Sequence, residues 1–234
     1  MKPKYKCVLI KVSGEAMAGE QKFGINEEMT AETARQLKEV VDAGVKLVVV
    51  PGGGNFWRGR STEMMDRCAA DYIGMLGTMM NAIALREALE SLGVPSVVQT
   101  AIEMDQIAEG FNVRKAKAHL DEGKVVIFGC GTGHPFFSTD TTASLRAIEV
   151  GAEVILMAKN VDAVYSDDPA TNPDAIRYTH LTHEEVLKQD LKVMDSTAAA
   201  LCKDNGLAIH VFGLAEENGI MKAICGEEIG TIVE

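Results

Sequence analysis

The chain has 234 residues, 47% hydrophobic and 24% charged, with a formal net charge of −11. That length suits one α/β domain with a sizeable core, or two small domains, and the composition is ordinary for a globular protein. The acidic balance argues against a general nucleic-acid binder. Five scattered cysteines (Cys7, Cys68, Cys130, Cys202, Cys225) form no C-x-x-C pair, and they read as reduced thiols of a cytosolic protein. The opening Met1-Lys2-Pro3-Lys4-Tyr5-Lys6 lacks the apolar region of a signal peptide, and no unbroken run of about 18 apolar residues occurs. The expectation is a cytoplasmic chain with no membrane partner.

Cys7 to Val12 reads as a first strand, and the glycine-rich Ser13 to Phe23 reads as loop. Asn26 or Thr30 caps a helix to Ala43, with Gly44 at its C′ position. Val45 to Val50 is a continuous apolar run typical of a strand buried on both faces, broken by Pro51-Gly52-Gly53-Gly54-Asn55. A long helical pattern covers Thr62 to Leu92 and stops at Gly93. Ser96 to Gln99 is a short strand, and Asn112 caps a helix ending near Glu122-Gly123. Val125 to Phe128 is a further strand, followed by a loop to Asp140 and a helix from Thr141 to Val150. Val154 to Met157 is strand-like, and Asp162 to Tyr178 is a polar excursion. Thr182-His183-Glu184-Glu185 fits a capping box. Asp195 caps a helix from Ser196 to Asn205 with Gly206 at its end, and Ile209 to Phe212 and Thr231 to Val233 are the last strands. This alternation predicts a mostly parallel sheet covered by helices on both faces, in a single domain over residues 1–234.

Three loops leave strands at the edge where open α/β sheets bind ligands: Ser13-Gly14, Gly52-Gly53-Gly54 and Gly131 to Asp140. The last carries the hydroxyls of Thr132, Ser138 and Thr139, adjacent aromatics Phe136 and Phe137, and the Asp140 carboxylate. It opens a helix, and helix N-termini offer backbone N–H groups to anions. Lys11 sits near the end of an apolar strand, on the face of Cys7 and Leu9. It either snorkels past the strand end into water or meets an anion. The triple glycine fits neither a Walker loop nor a dinucleotide fingerprint; it is a structural turn or, better, a phosphate cradle within reach of Arg58. Arg60 and Arg67 read as solvated charges. Asp71 either meets a ligand hydroxyl or lies exposed, while Gly74 and Gly77 in the long helix predict close packing against another backbone. Met64, Met65, Met75, Met79 and Met80 read as core or interface filler. His180 and His183 are assigned structural roles, since a third metal ligand is lacking.

These residues also carry a family resemblance. Lys11-Val12-Ser13-Gly14-Glu15-Ala16, Gly52-Gly53-Gly54-Asn55-x-x-Arg58-Gly59, Gly131-Thr132-Gly133-x-Pro135-Phe136-Phe137-x-Thr139-Asp140, Val161-Asp162-x-Val164-Tyr165-x-x-Asp168-Pro169 and Lys192-Val193-Met194-Asp195 occur in this order. Over essentially its whole length the chain resembles the bacterial uridylate kinases (UMP kinases) of the amino acid kinase superfamily. The resemblance implies a three-layer α/β/α sandwich with a mostly parallel central sheet and transfer of the ATP γ-phosphoryl group to UMP, with Mg²⁺. It implies a cytoplasmic homohexamer serving UTP and CTP synthesis, with UTP as inhibitor.

By position, the resemblance places Lys11, Val12, Ser13 and Gly14 at the ATP phosphates, with Gly54 and Arg58 on the phosphate side. It places Lys159, Tyr165 and Asp168 at the adenosine. Gly53, Asp71, Thr132, Gly133, His134, Pro135, Phe136, Phe137, Ser138 and Thr139 fall at UMP. Lys11, Arg58 and Asp140 fall at the transferring phosphoryl group, with Asp140 orienting Lys11 or the metal; no resident metal ligands are assigned. Phe136 and Phe137 either pack near the uracil or fill the core. His134 stands where many members carry asparagine. Arg86 matches an arginine that parts of the family use for activation by GTP, whereas Glu90 and Val97 replace basic residues found in some members. Carboxylate kinases of the same fold have no need of the Gly131–Asp140 block in this form, and the joint presence of Lys11, Arg58 and Asp140 argues against a storage protein.

Overall fold

The computed structural model describes residues 2–58, 64–214 and 216–234. Gly59, Arg60 and the Thr62 end of the long helical pattern lie outside the described residues. In chain order the elements are β1 (Cys7–Val12), α1 (Gly14–Ala18), α2 (Glu27–Asp42), β2 (Lys46–Pro51), α3 (Arg67–Ser91), β3 (Ser96–Thr100), β4 (Glu109–Gly110), α4 (Val113–Asp121), β5 (Val125–Gly129), α5 (Thr139–Val150), β6 (Val154–Lys159), β7 (Val164–Tyr165), β8 (Arg177–Tyr178), β9 (His180–Leu181), α6 (His183–Lys188), α7 (Ser196–Asn205), β10 (Ala208–Gly213), α8 (Gly219–Cys225) and β11 (Thr231–Val233).

Among the described residues, nine strands form the main sheet in the order β4-β3-β5-β2-β1-β6-β10-β11-β9, parallel except where β11 returns antiparallel to β10. Period 2 along β1 sends Cys7 and Leu9 to one face and Val8, Ile10 and Val12 to the other. The first face packs against Ala116 and Leu120 of α4, Ala143 and Ala147 of α5, Val186 of α6 and Ala199 and Cys202 of α7. The second packs against Met17 of α1, Ala34 and Leu37 of α2, Met75, Met79, Ala82 and Leu85 of α3, and Ala223 and Ile224 of α8. This is the three-layer sandwich that the alternation of elements predicts.

The helix signals are those expected. Asn26 caps α2 through its side chain, Asn112 caps α4, Asp195 caps α7, and Thr182 with Glu185 forms a full capping box on α6. Gly151 and Gly206 end α5 and α7 in the left-handed conformation.

Other readings are corrected. The segment from Ser13 to Phe23 is not simply loop: Ser13 caps the short helix α1, and a 3₁₀ turn follows at Gly19–Gln21. The excursion from Asp162 to Tyr178 folds as an antiparallel ribbon, with Val164 opposite Tyr178. The strands β4 and β9 and the helix α8 were not foreseen, because two-residue strands and a seven-residue helix are too short to show a period. By length and composition α3 is also long and apolar enough to cross a membrane, which a search for an unbroken apolar run overlooks. Its Met75, Met79, Ala82, Leu85 and Leu89 side lies buried against the sheet.

Chain order around β1 fixes where a ligand can sit. From β1 the chain passes through α2 to β2 on one side and reaches β6 on the other. The crevice at this switch lies beyond the carboxyl ends of β1 and β6, where Lys11 is in register with Met157, two residues before Lys159.

Candidate active site

Adjacent parallel strands β1, β2 and β5 deliver the three glycine-bearing loops to one edge, and all three line a single cavity of about 440 Å³. Lys11, Ser13, Gly14, Gly53, Gly54, Arg58, Asp71, Thr132, Phe137, Ser138 and Thr139 face it. Lys11 leaves β1 on the α5 side of the sheet. Its Nζ lies 2.8 Å from Oδ1 of Asp140 in the first turn of α5, with both side chains about one-fifth exposed. The lysine therefore does not snorkel free; it is paired and faces the cavity.

The triple glycine is needed for close approach, not for a left-handed turn. A Cβ on Gly53 would stand 2.5 Å from the Gly74 carbonyl oxygen and 3.0 Å from the Thr78 nitrogen, and one on Gly77 would stand 3.2 Å from the Gly53 oxygen. The loop thus presses its backbone onto α3, as Gly74 and Gly77 led one to expect. At Gly54 the atoms nearest to such a Cβ belong to the Arg58 side chain, at 3.5 Å. Underneath, buried Asn81 donates to the Gly52 carbonyl (2.7 Å) and to Asn55 Oδ1 (2.8 Å), and Asn55 donates to the Gly24 carbonyl (2.7 Å). This amide network was not read from the sequence, where two isolated asparagines give no signal.

The third loop is fixed at both ends. Thr78 Oγ1 of α3 accepts from the Cys130 N–H at 2.9 Å. Ser138 caps α5, its Oγ accepting from the N–H groups of Asp140 (3.0 Å) and Thr141 (3.1 Å). The reading of this helix start as a set of free N–H groups for an anion is corrected accordingly: its own cap takes two of them. The Ser138 and Thr141 hydroxyls donate to Asp195, whose carboxylate also caps α7. Asp195 thus ties the loop to α7; it was foreseen only as a cap.

Asp71 is not exposed. Its Oδ2 accepts from the Phe136 N–H at 2.8 Å and from Arg67 Nε at 2.9 Å, and its side chain is 14% exposed. Arg67, read as a solvated charge, lines the cavity. Phe136 and Phe137 are more than half exposed, so neither fills the core. Gly133, Pro135 and Phe136 do not line the cavity; nor does Val12, which lies behind it. His134 faces a neighbouring depression between α5 and α7, shared with Thr132 and Phe137. Glu15, which the sequence left without a role, forms an ion pair with Arg58 inside the cavity wall.

A second cavity of about 440 Å³ is lined by Lys159, Tyr165, Asp168, Pro169, Leu191 and Lys192 among others. Lys159 Nζ donates to the Val193 carbonyl. Burial pushes its ammonium below the ordinary lysine range, and the fields of Asp140, which opposes that shift, and Lys11 both reach it. Asp162 holds the ribbon beside this cavity, accepting from Tyr165 (2.9 Å) and Arg177 (3.0 Å).

His180 pairs with Glu234 at 3.0 Å, and His183 is buried at the start of α6. Among the described residues no group of three or more His, Cys, Asp or Glu side chains is placed to cage a metal. All five cysteines are free. Of the methionines singled out, Met75 and Met79 are core, whereas Met64, Met65 and Met80 are exposed.

The amino acid kinase family matches residues 6–213. Among solved structures, the chain is similar to a UMP kinase from Bacillus anthracis at 39% identity and a TM-score of 0.95, covering 98% of this chain and 96% of that one. It is similar to a UMP kinase from Ureaplasma parvum at 36% identity and a TM-score of 0.92, covering 99% of each. A uridylate kinase from Archaeoglobus fulgidus is 28% identical with a TM-score of 0.75, over 97% of this chain and 99% of that one. With a paired lysine and aspartate beside the three glycine-bearing loops, and a family match over most of its length, this chain belongs to the amino acid kinase family.

Proposed function

We propose that the chain is a UMP kinase, transferring the γ-phosphoryl group of ATP to UMP, and that residues 1–234 act as one catalytic unit. The observation that carries this reading is the Lys11–Asp140 pair, whose lysine lines a cavity of nucleotide size together with the three glycine-bearing loops. UMP occupies the cavity bounded by Gly53, Asp71, Thr132, Phe137, Ser138 and Thr139. The adenosine of ATP occupies the cavity of Lys159, Tyr165 and Asp168, and its phosphates reach toward Lys11, Ser13 and Gly14.

Both reacting groups are polyanions, so the site must align them and neutralise charge rather than supply covalent chemistry. The UMP phosphate is already deprotonated at neutral pH and needs no general base. Lys11, held by Asp140, points its ammonium at the phosphoryl group as charge redistributes. Arg58 compensates the acceptor phosphate after leaving Glu15. Kinase Mg²⁺ is held by one or two carboxylates plus substrate phosphates, not by a protein cage. Asp140 supplies such a carboxylate, so the residues present fit the ion, which when bound neutralises charge on the phosphate oxygens.

Other features support the rest of this reading. Tyr72, Ile73, Leu76 and Met80 form an exposed apolar stripe on α3, which suits assembly into a homohexamer. A polar cavity of about 490 Å³ lined by Arg86, Glu90, Val97 and Lys115 is the candidate place for GTP activation. UTP inhibits by placing its uridine in the UMP cavity. Free cysteines suit a cytoplasmic protein.

The test is ADP release from ATP and Mg²⁺ with a panel of nucleoside monophosphates and with carbamate, glutamate and aspartate. Turnover with UMP alone is expected. Turnover with a carboxylate acceptor, or none with any acceptor, overturns the reading. Initial rates with GTP or UTP added at fixed ATP test the regulation.

A further inference from the structure

We infer that Arg67, Asp71 and Phe136 form a latch that holds the acceptor loop closed over the UMP cavity, and that Arg67 and Phe136 are positioning residues for the acceptor. The inference rests on the UMP kinase reading for its substrate, but its geometry stands apart from it.

Phe136 is at the tip of the loop, with φ at +72°, a left-handed conformation that costs a bulky side chain and persists only where surrounding contacts hold it. Two contacts do so. The Phe136 N–H donates to Asp71 Oδ2 at 2.8 Å, and the Arg67 guanidinium stands 5.3 Å from the centroid of the Phe136 ring. Arg67 Nε donates to the same Oδ2 at 2.9 Å, so one carboxylate oxygen joins both partners across 65 residues of chain. The Phe136 ring is 64% exposed, so burial does not explain its fixed place. Arg67 and Asp71 are one helical turn apart in the first turns of α3, and the rigid helix sets where the loop tip is held. With Phe136 held, the flanking Thr132 and Phe137 are kept on the cavity wall. Without the latch only the ends of the loop are anchored, at Cys130 and Ser138, and the acceptor must order the segment between them, which weakens binding.

The test pairs Arg67→Met with a probe of the loop and a probe of the ligand. Hydrogen exchange should quicken across residues 131–138 in Arg67→Met, and in Phe136→Asn, which tolerates the left-handed backbone but lacks the ring. Affinity for UMP and for uridine, which has no phosphate, should fall by the same factor, about fivefold to tenfold. The KM for ATP should hold, kcat at saturating UMP should stay within about threefold, and Arg67→Lys should recover part of the loss. The double variant should cost little more than the worse single, because both residues act through one latch. Unchanged exchange overturns the latch, as does additive loss in the double variant. A loss confined to UMP and sparing uridine also overturns it, since Arg67 would then be a phosphate ligand. If the parent protein phosphorylates no UMP, the functional reading fails while the exchange result still decides the latch.

Discussion

The Lys11 ammonium lies 2.8 Å from the Asp140 carboxylate, joining the penultimate residue of the first strand to the first turn of a helix more than half the chain away. The pair forms because Lys11 shares the Cys7 and Leu9 face of β1, the face that α5 covers.

Removing either partner should therefore damage chemistry more than binding. Lys11→Ala is expected to lower kcat by about 10²–10³-fold while shifting the UMP dissociation constant by less than about threefold. Asp140→Asn should lower kcat as well, through a misaimed lysine. Steady-state kinetics with calorimetric UMP binding checks both, and an unchanged kcat for Lys11→Ala refutes the assignment.

Glu15 forms an ion pair with Arg58 on the cavity wall. Both side chains are half-exposed or more, so the pair itself adds little stability. Glu15→Gln should free Arg58 and tighten UMP binding by about twofold to fivefold at low salt, with the gain shrinking as salt rises. Weaker binding at every salt concentration would contradict the exchange of partners.

The three glycines should separate in their response to alanine. Gly53→Ala drives a methyl into the Gly74 carbonyl and should destabilise the fold by about 1–3 kcal/mol in denaturant unfolding. Gly54→Ala meets only the movable Arg58 side chain and should leave stability nearly unchanged while weakening phosphate binding. Equal destabilisation by the two would mean that the loop does not rest on α3 as described.

Burial holds His183 and His210 below the ordinary imidazole value of 6.5. Between that value and the lower folded values the unfolded chain binds more protons, so stability is full above 6.5 and is lost as pH falls through the folded values. Each histidine contributes a slope of at most about 1.4 kcal/mol per pH unit. Urea unfolding from about pH 7.5 to about pH 5.5 should show this slope, reduced in His183→Leu.

On the proposed homohexamer, placing a charge in the exposed stripe of α3 should break subunit association. Leu76, 46% exposed, is the central residue of that stripe. Leu76→Glu is expected to shift the species seen by light scattering to a smaller one while leaving the helical circular dichroism in place. No change in size would remove the stripe from the assembly.

Much of this was legible in the chain itself. The apolar runs of β1, β2, β5 and β6 specify buried parallel strands, and Asn26, Asn112, Thr182 and Asp195 mark helix starts, because caps and periodicity are local signals. The Ser13, Gly53 and Gly131 loops could be grouped at one edge because parallel strands must present their ends together. Only the tertiary structure decided what those loops meet. That Gly53 rests on Gly74, that Ser138 spends its hydroxyl capping α5, that Glu15 holds Arg58 and that Arg67 faces inward to Asp71 and Phe136 all depend on the packing of α3 and α5 against the sheet. Pairings between residues distant in sequence are set by that packing, and local propensity carries no record of them.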